Sequence, residues 1–239
     1  MNRQADQLPV YLLHGLLGTG YGHFSGQIRA WEGRHRVVPV DLPGHGRCRL
    51  DAGPDYLDTA LNYVTTVIER FGGPGRLVAA SYLGGPLAVR CATGRPDLVD
   101  SLVLTGFAPG LRRDAFVTLL AGFGTLVEAD LALVVEYDRL HGTRWRATLA
   151  AFTEHVERAY EDTALVRPEA LAALDTDTLL INGTLKSVEL AAARDADRYG
   201  PRVHGHVIDG AGHIASHDAP DEFNSAVEAF WRKEHGSER

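Results

Sequence analysis

The sequence predicts an α/β fold: a mostly parallel sheet of about six strands flanked by helices, with an inserted helical cap. Three observations carry this. Short, nearly continuous apolar runs alternate with longer stretches of helical periodicity, the pattern of strands buried on both faces. The strand-like runs end in Gly, Ser, Asp or His rather than in hairpin turns. One long segment breaks the rhythm with helical patterning alone.

The elements follow in order. Leu8–Leu13 reads as the first buried strand and Arg36–Val40 as the second. Asp55–Phe71 places Leu57, Leu61, Val64 and Ile68 at roughly helical spacing and stops at Gly72-Gly73-Pro74. Arg76–Ala80 is the third strand, and Leu83–Ala92 the helix after it, with Pro86 tolerated in the first turn. Ser101–Thr105, Thr178–Ile181 and His204–Ile208 complete the strands. Val188–Tyr199 and Pro220–Trp231 are the last helices, the latter opened by Pro220, Asp221 and Glu222. Between Gly110 and Leu174 the pattern is helical without a strand. The chain therefore divides into a core of residues 1–109 and 175–239 and a cap of residues 110–174. A cap over the strand ends would wall an apolar pocket.

Composition narrows the function. With 24 Lys+Arg against 31 Asp+Glu, the 239-residue chain carries a formal charge of −7, and 45% of it is hydrophobic. An acidic chain makes nucleic acid a poor partner, because phosphate binding needs a basic face. No apolar run reaches membrane-span length, and residues 1–7 are polar, so neither a membrane partner nor a signal sequence is expected. Two cysteines, Cys48 and Cys91, make no disulfide framework, and the expected compartment is the cytoplasm. Only Lys186 and Lys233 are lysines, a bias that fits a GC-rich genome and a small-molecule pathway.

Open parallel sheets bind ligands at the carboxyl ends of their strands. Those ends here carry His14-Gly15-Leu16-Leu17-Gly18, Asp41-Leu42-Pro43-Gly44-His45-Gly46, and Ala80-Ser81-Tyr82-Leu83-Gly84-Gly85. Near the end of the chain stands Gly210-Ala211-Gly212-His213. Together these segments resemble the α/β-hydrolase superfamily, in its small, capped, single-domain form, from Leu8 to about Trp231.

The resemblance implies a Ser nucleophile on a tight strand-to-helix turn, followed in the chain by an acid and then a His base. Placed on the pattern without gaps, LVAASYLGG puts Tyr82 at the nucleophile position, with Ala80 and Gly84 as the small neighbours. No G-x-S-x-G occurs. The acid position falls on Lys186, in Gly183-Thr184-Leu185-Lys186-Ser187, and the base on His213. In this frame the triad is degenerate: Tyr82, Lys186 and His213. Oxyanion donors would be the N–H groups of Leu16 and Leu83, and Ser81 and His14 would touch substrate. Such a pocket suits proton transfer without a Ser acyl-enzyme, of lyase, cyclase, isomerase or decarboxylase type.

Alternatives stay open. Ser81 is the nucleophile in a frame that puts Leu83 where a small residue belongs. Glu189 lies close to the acid position, and Glu128, Glu136 or Asp138 of the cap could supply a carboxylate. Esterase or thioesterase activity would then use Ser81 and His213. A third reading is a non-catalytic ligand binder. His204 with His206 and His213 with His217 lack the further ligands of a metal site. There is neither a dinucleotide fingerprint nor a phosphate loop, so no metal and no organic cofactor is expected. The expected partner is a small-molecule substrate.

Overall fold

The computed structural model describes residues 8–163 and 167–234. The polar start at 1–7 and part of the stretch assigned to the cap lie outside the described residues. The elements run β1 (Val10–Leu13), α1 (Gly20–Trp31), β2 (Val37–Val40), α2 (Tyr56–Phe71), β3 (Gly75–Ala80), α3 (Ser81–Gly94) and β4 (Val99–Thr105). Then come α4 (Arg113–Ala129), α5 (Leu131–His141), α6 (Trp145–Thr163) and α7 (Pro168–Ala172). The chain closes with β5 (Asp177–Gly183), α8 (Ser187–Arg194), β6 (Val203–Ile208), α9 (Ala215–Asp218) and α10 (Pro220–Glu234).

All six strands lie in one sheet, in the order β2-β1-β3-β4-β5-β6, and every pairing is parallel. The strands alternate between two cores, as the two-residue period of a strand requires. Tyr11, Leu13, Leu77, Ala79, Leu102 and Leu104 face one side, packed with α2, α3 and part of the cap. Val10, Leu12, Val78, Ala80, Val103 and Ile181 face the other, against Phe24 and Trp31 of α1 and Phe223, Val227 and Trp231 of α10. Each such fully buried aliphatic contributes about 1.5–3 kcal/mol. No single helix among the described residues is long and apolar enough to cross a membrane.

Helices α1, α8 and α9 differ from the sequence reading, which had no helix over Ala215–Asp218. Helix α1 was hidden by Gly20, Gly22 and Gly26, which lower helix propensity. It forms because Thr19 caps it, its Oγ1 accepting from the Gly22 N–H at 2.9 Å, and because Phe24 and Trp31 bury a face. The helix expected over Val188–Tyr199 ends at Arg194. Asp195 leaves helical geometry (φ −102°, ψ 25°), and a separate 3₁₀ turn follows.

The order places β1 between β2 and β3, so the connection leaving β1 runs toward the β2 edge and the one leaving β3 toward the β6 edge. That is the switch point where the loops after β1 and β3 diverge and a crevice opens. Helices α4–α7 lie between β4 and β5 in the chain, and α4, α5 and α6 wall this crevice.

Candidate active site

At the end of β3 the chain turns sharply into α3. The turn residue is Ser81, with φ 63°. A non-glycine residue in the left-handed region carries strain and persists only where its surroundings fix it. The fixing is steric. A Cβ on Gly15 would lie 2.6 Å from the Ser81 Cβ, and one on Gly84 would lie 2.5 Å from the Leu13 carbonyl oxygen. The room for the turn thus comes from Gly15 and Gly84, not from a residue two after the serine. Leu83, at that place, points into the core and is fully buried.

The Ser81 Oγ lies 3.0 Å from His213 Nε2. On the opposite ring edge, His213 Nδ1 lies 2.7 Å from Glu189 Oε1. With Glu189 ionised, Nδ1–H donates to it, and Nε2 is left to accept the serine proton. Glu189 is buried in the first turn of α8, where the helix dipole favours a carboxylate. Its backbone carbonyl accepts from Asn182 Nδ2 at 2.9 Å, and the same amide nitrogen donates to the Phe107 carbonyl. This buried Asn182 pins α8 to the loop after β4. Asp218 Oδ2 accepts from the Gly212 N–H at 2.8 Å and holds the histidine loop.

Several expected placements are corrected. Tyr82 does not occupy the turn. It is the next residue, and its buried ring packs on His213 (centroids 6.0 Å, 16° between planes), Phe107 (5.7 Å) and Phe116 (5.4 Å). Burial and the nearby Glu189 carboxylate push its phenol well above the ordinary tyrosine range, so it stays protonated. Lys186 is exposed at the cavity mouth, one helical turn before Glu189. Side chains on a helix lean toward its N-terminus, so Glu189 reaches back to the place a loop acid would hold. With Ser81 at the turn, the N–H following it is that of Tyr82, not of Leu83. His14 is fully buried and does not line the cavity above Ser81. Its Nδ1–H donates to the Gly15 carbonyl at 2.7 Å, and its Nε2 accepts from the Leu42 N–H at 2.9 Å.

Leu16 does line the cavity. On either side of it, the Gly15 N–H donates to His23 Nδ1 (3.2 Å) and the Leu17 N–H to His45 Nε2 (3.1 Å). The Leu16 N–H itself has no protein acceptor among the described residues. The Tyr82 N–H belongs to the open first turn of α3, where helical N–H groups lack intrahelical partners. Reading the sequence missed His23, whose acceptor role burial enforces by depressing its pKa to about 4.

The cavity above Ser81 has a volume of about 890 Å³. Its walls are apolar: Phe116, Leu120 and Phe123 from α4, Leu133 and Tyr137 from α5, Phe152 from α6. Charged groups gather only at the Ser81 end and the mouth, as Glu189, Lys186 and Asp218. Glu136 and Asp138 of the cap instead pair with Arg139 and Arg146, and neither lines the cavity. Among the described residues no three His, Cys, Asp or Glu cluster as metal ligands would.

A strand-turn-helix serine, a histidine and a buried carboxylate in that mutual geometry agree with the family comparison. Residues 10–226 match the model of the alpha/beta hydrolase family. The chain belongs to the alpha/beta hydrolase family. Within it, the crystal structure of NosK from Streptomyces actuosus is similar at 64% identity, with 96% of this chain and 99% of that chain covered and a TM-score of 0.93. The pimeloyl-[acyl-carrier protein] methyl ester esterase of Nitrosomonas europaea is 35% identical over 107 residues, 44% of this chain and 40% of its own length. The sn-1-specific diacylglycerol lipase ABHD11 of Mus musculus is 24% identical over 253 residues, 92% of this chain and 80% of its own.

Proposed function

We propose that this protein cleaves an ester or thioester through a covalent acyl-Ser81 intermediate, with an apolar acyl group seated under the cap. The observation that carries the reading is the continuous hydrogen-bonded line from Ser81 Oγ through His213 to Glu189. Such a line makes a serine hydroxyl nucleophilic near neutral pH. The esterase and lipase named above, as relatives of this chain, support ester chemistry as the class.

In the proposed reaction Ser81 Oγ attacks the carbonyl carbon while its proton passes to His213 Nε2. The developing oxyanion is met by the N–H groups of Leu16 and Tyr82. Glu189 stabilises the imidazolium without taking its proton. Collapse of the tetrahedral species breaks the bond to the leaving alcohol or thiol, which takes the proton from His213. Water then attacks the acyl carbon, giving its proton to His213, and a second collapse returns that proton to Ser81 as the acid leaves. The lining of the cavity selects the acyl group. Burial of apolar surface there favours alkyl or aryl bodies by about 25 cal/mol per Å², whereas a charged body would lose its hydration without a partner.

Proton-transfer chemistry led by Tyr82 has weaker support. Its phenol hydroxyl lies beside Glu189 and the Ala108 backbone, and His213 Nε2 already faces Ser81. A fluorophosphonate probe tests the proposal. The expected result is one adduct, mapped to Ser81 and lost in Ser81→Ala. Folded wild-type protein that takes up no probe refutes it.

A further inference from the structure

Among the described residues, two other than glycine have a backbone in the left-handed region, Ser81 and Leu17 (φ 54°). The turn into α3 accounts for Ser81. Leu17 follows Leu16, the cavity-lining loop residue whose N–H has no protein acceptor among the described residues, and it is nearly fully buried. Its strained peptide groups are held from both ends by histidines of different segments. Its N–H donates to His45 Nε2 at 3.1 Å. Its carbonyl accepts from His141 Nε2–H at 3.0 Å.

Each ring is fixed in one neutral form by its second nitrogen. His45 Nδ1–H donates to the Pro43 carbonyl at 2.9 Å. His141 Nδ1 accepts from the Gly46 N–H at 2.9 Å. The rings stand edge to face, 5.5 Å apart. His45 belongs to the loop after β2, but His141 is the last residue of α5, a helix that also walls the cavity. The anchorage of His141 is stiff. Arg144 Nη2 donates to the carbonyls of Gly46 and Cys48 at 2.9 and 2.6 Å, and Thr148 Oγ1 to that of Gly44 at 3.1 Å.

We propose that His141 is a positioning residue: by gripping the Leu17 carbonyl it aims the Leu16 N–H, so that a cap helix sets half of the oxyanion hole. The inference rests on the acyl-Ser81 reading. Displacing the grip lets the loop relax out of the left-handed conformation and turns the donor away from the developing oxyanion. A role confined to joining cap and core would need only the bond to Gly46.

Two substitutions separate these roles. Asn at position 141 places an amide atom where Nδ1 stands, so it keeps the Gly46 bond and loses the grip on Leu17. Gln places its Nε2 where the imidazole Nε2 stands, so it keeps the grip and loses the Gly46 bond. The measurement is the rate of fluorophosphonate adduct formation at Ser81, with kcat and KM on p-nitrophenyl butyrate and the melting temperature of each protein. His141→Asn is expected to slow adduct formation and kcat by about 10- to 100-fold, with KM within about threefold, since losing a whole oxyanion donor costs about 10²–10³. His141→Gln is expected to recover at least about a third of the wild-type rate. Equal rates in the two variants, or a wild-type rate in His141→Asn, overturn the inference. If His141→Asn does not fold, a loss above about tenfold in folded His141→Gln overturns it instead. Failure of wild-type protein to form the Ser81 adduct sinks the acyl-Ser81 reading itself, a separate outcome.

Discussion

Acid should destabilise this protein through its buried histidines, His45 among them. The His45 ring is fully buried. Its two nitrogens are committed as one donor and one acceptor, and burial, the largest cause, depresses its pKa to about 3. An unfolded histidine titrates near 6.5. Between those values the unfolded chain binds a proton that the native chain does not, so stability is lost as the pH falls from about 6.5 toward 3. At 1.36 kcal/mol per pH unit, this one group removes about 2 kcal/mol between pH 7 and pH 5, a large share of an ordinary domain's stability. Urea denaturation at the two pH values, in wild type and His45→Gln, isolates the effect. The Gln side chain retains an acceptor for the Leu17 N–H but does not titrate. It should be the weaker protein at pH 7 and should lose about 2 kcal/mol less than wild type on going to pH 5. The same pH-dependent loss in both proteins would refute the reasoning.

Three further outcomes are expected. Glu189→Gln keeps the shape but removes the charge and favours the wrong imidazole tautomer, so kcat should fall by about 10³–10⁴ in a protein with an unchanged circular dichroism spectrum; a loss under tenfold would remove Glu189 from the site. Gly15→Ala drives a methyl group against Ser81, which should cost about 1–3 kcal/mol in denaturant melts and slow Ser81 labelling at least tenfold, whereas wild-type labelling would show that the turn has slack. Tyr82→Phe preserves the stacked ring and the backbone N–H, so steady-state kcat should drop by less than about tenfold; a loss of several orders of magnitude would return the phenol to the chemistry.

The sheet was legible because its strands are apolar on both faces, and their runs survive any shift of a residue or two. Helix α1 was not, since its glycines speak against a helix until packing with Phe24 and Trp31 is known. At the site, His213 stands in a segment whose residues are consecutive, so order along the chain is enough to find it. Ser81 lies one residue before the position that the gap-free placement gave the nucleophile, and Glu189 three residues after the one it gave the acid. A gap-free placement ties the nucleophile to Gly84-Gly85, but the backbone decides by φ, and the space around Ser81 is made by Gly15, sixty-six residues earlier. Glu189 lies within a helical turn of the expected loop position, and helical geometry, invisible to linear spacing, brings it back. The grip on Leu17 has no linear signature at all: its histidines sit 28 and 124 residues away.

The chain leaves the sheet after Thr105 and re-enters it at Asp177, yet β4 and β5 are adjacent and hydrogen-bonded. The excursion that builds the cap therefore starts and ends at neighbouring doorposts. Its length enters the closure entropy only logarithmically, about 0.6 kcal/mol for each doubling. Helices can be added to or cut from this excursion while the strands keep their pairing and Ser81, Glu189 and His213 keep their anchors. The excursion is thus a replaceable part, through which descendants of this chain can change what they accept without rebuilding how they react.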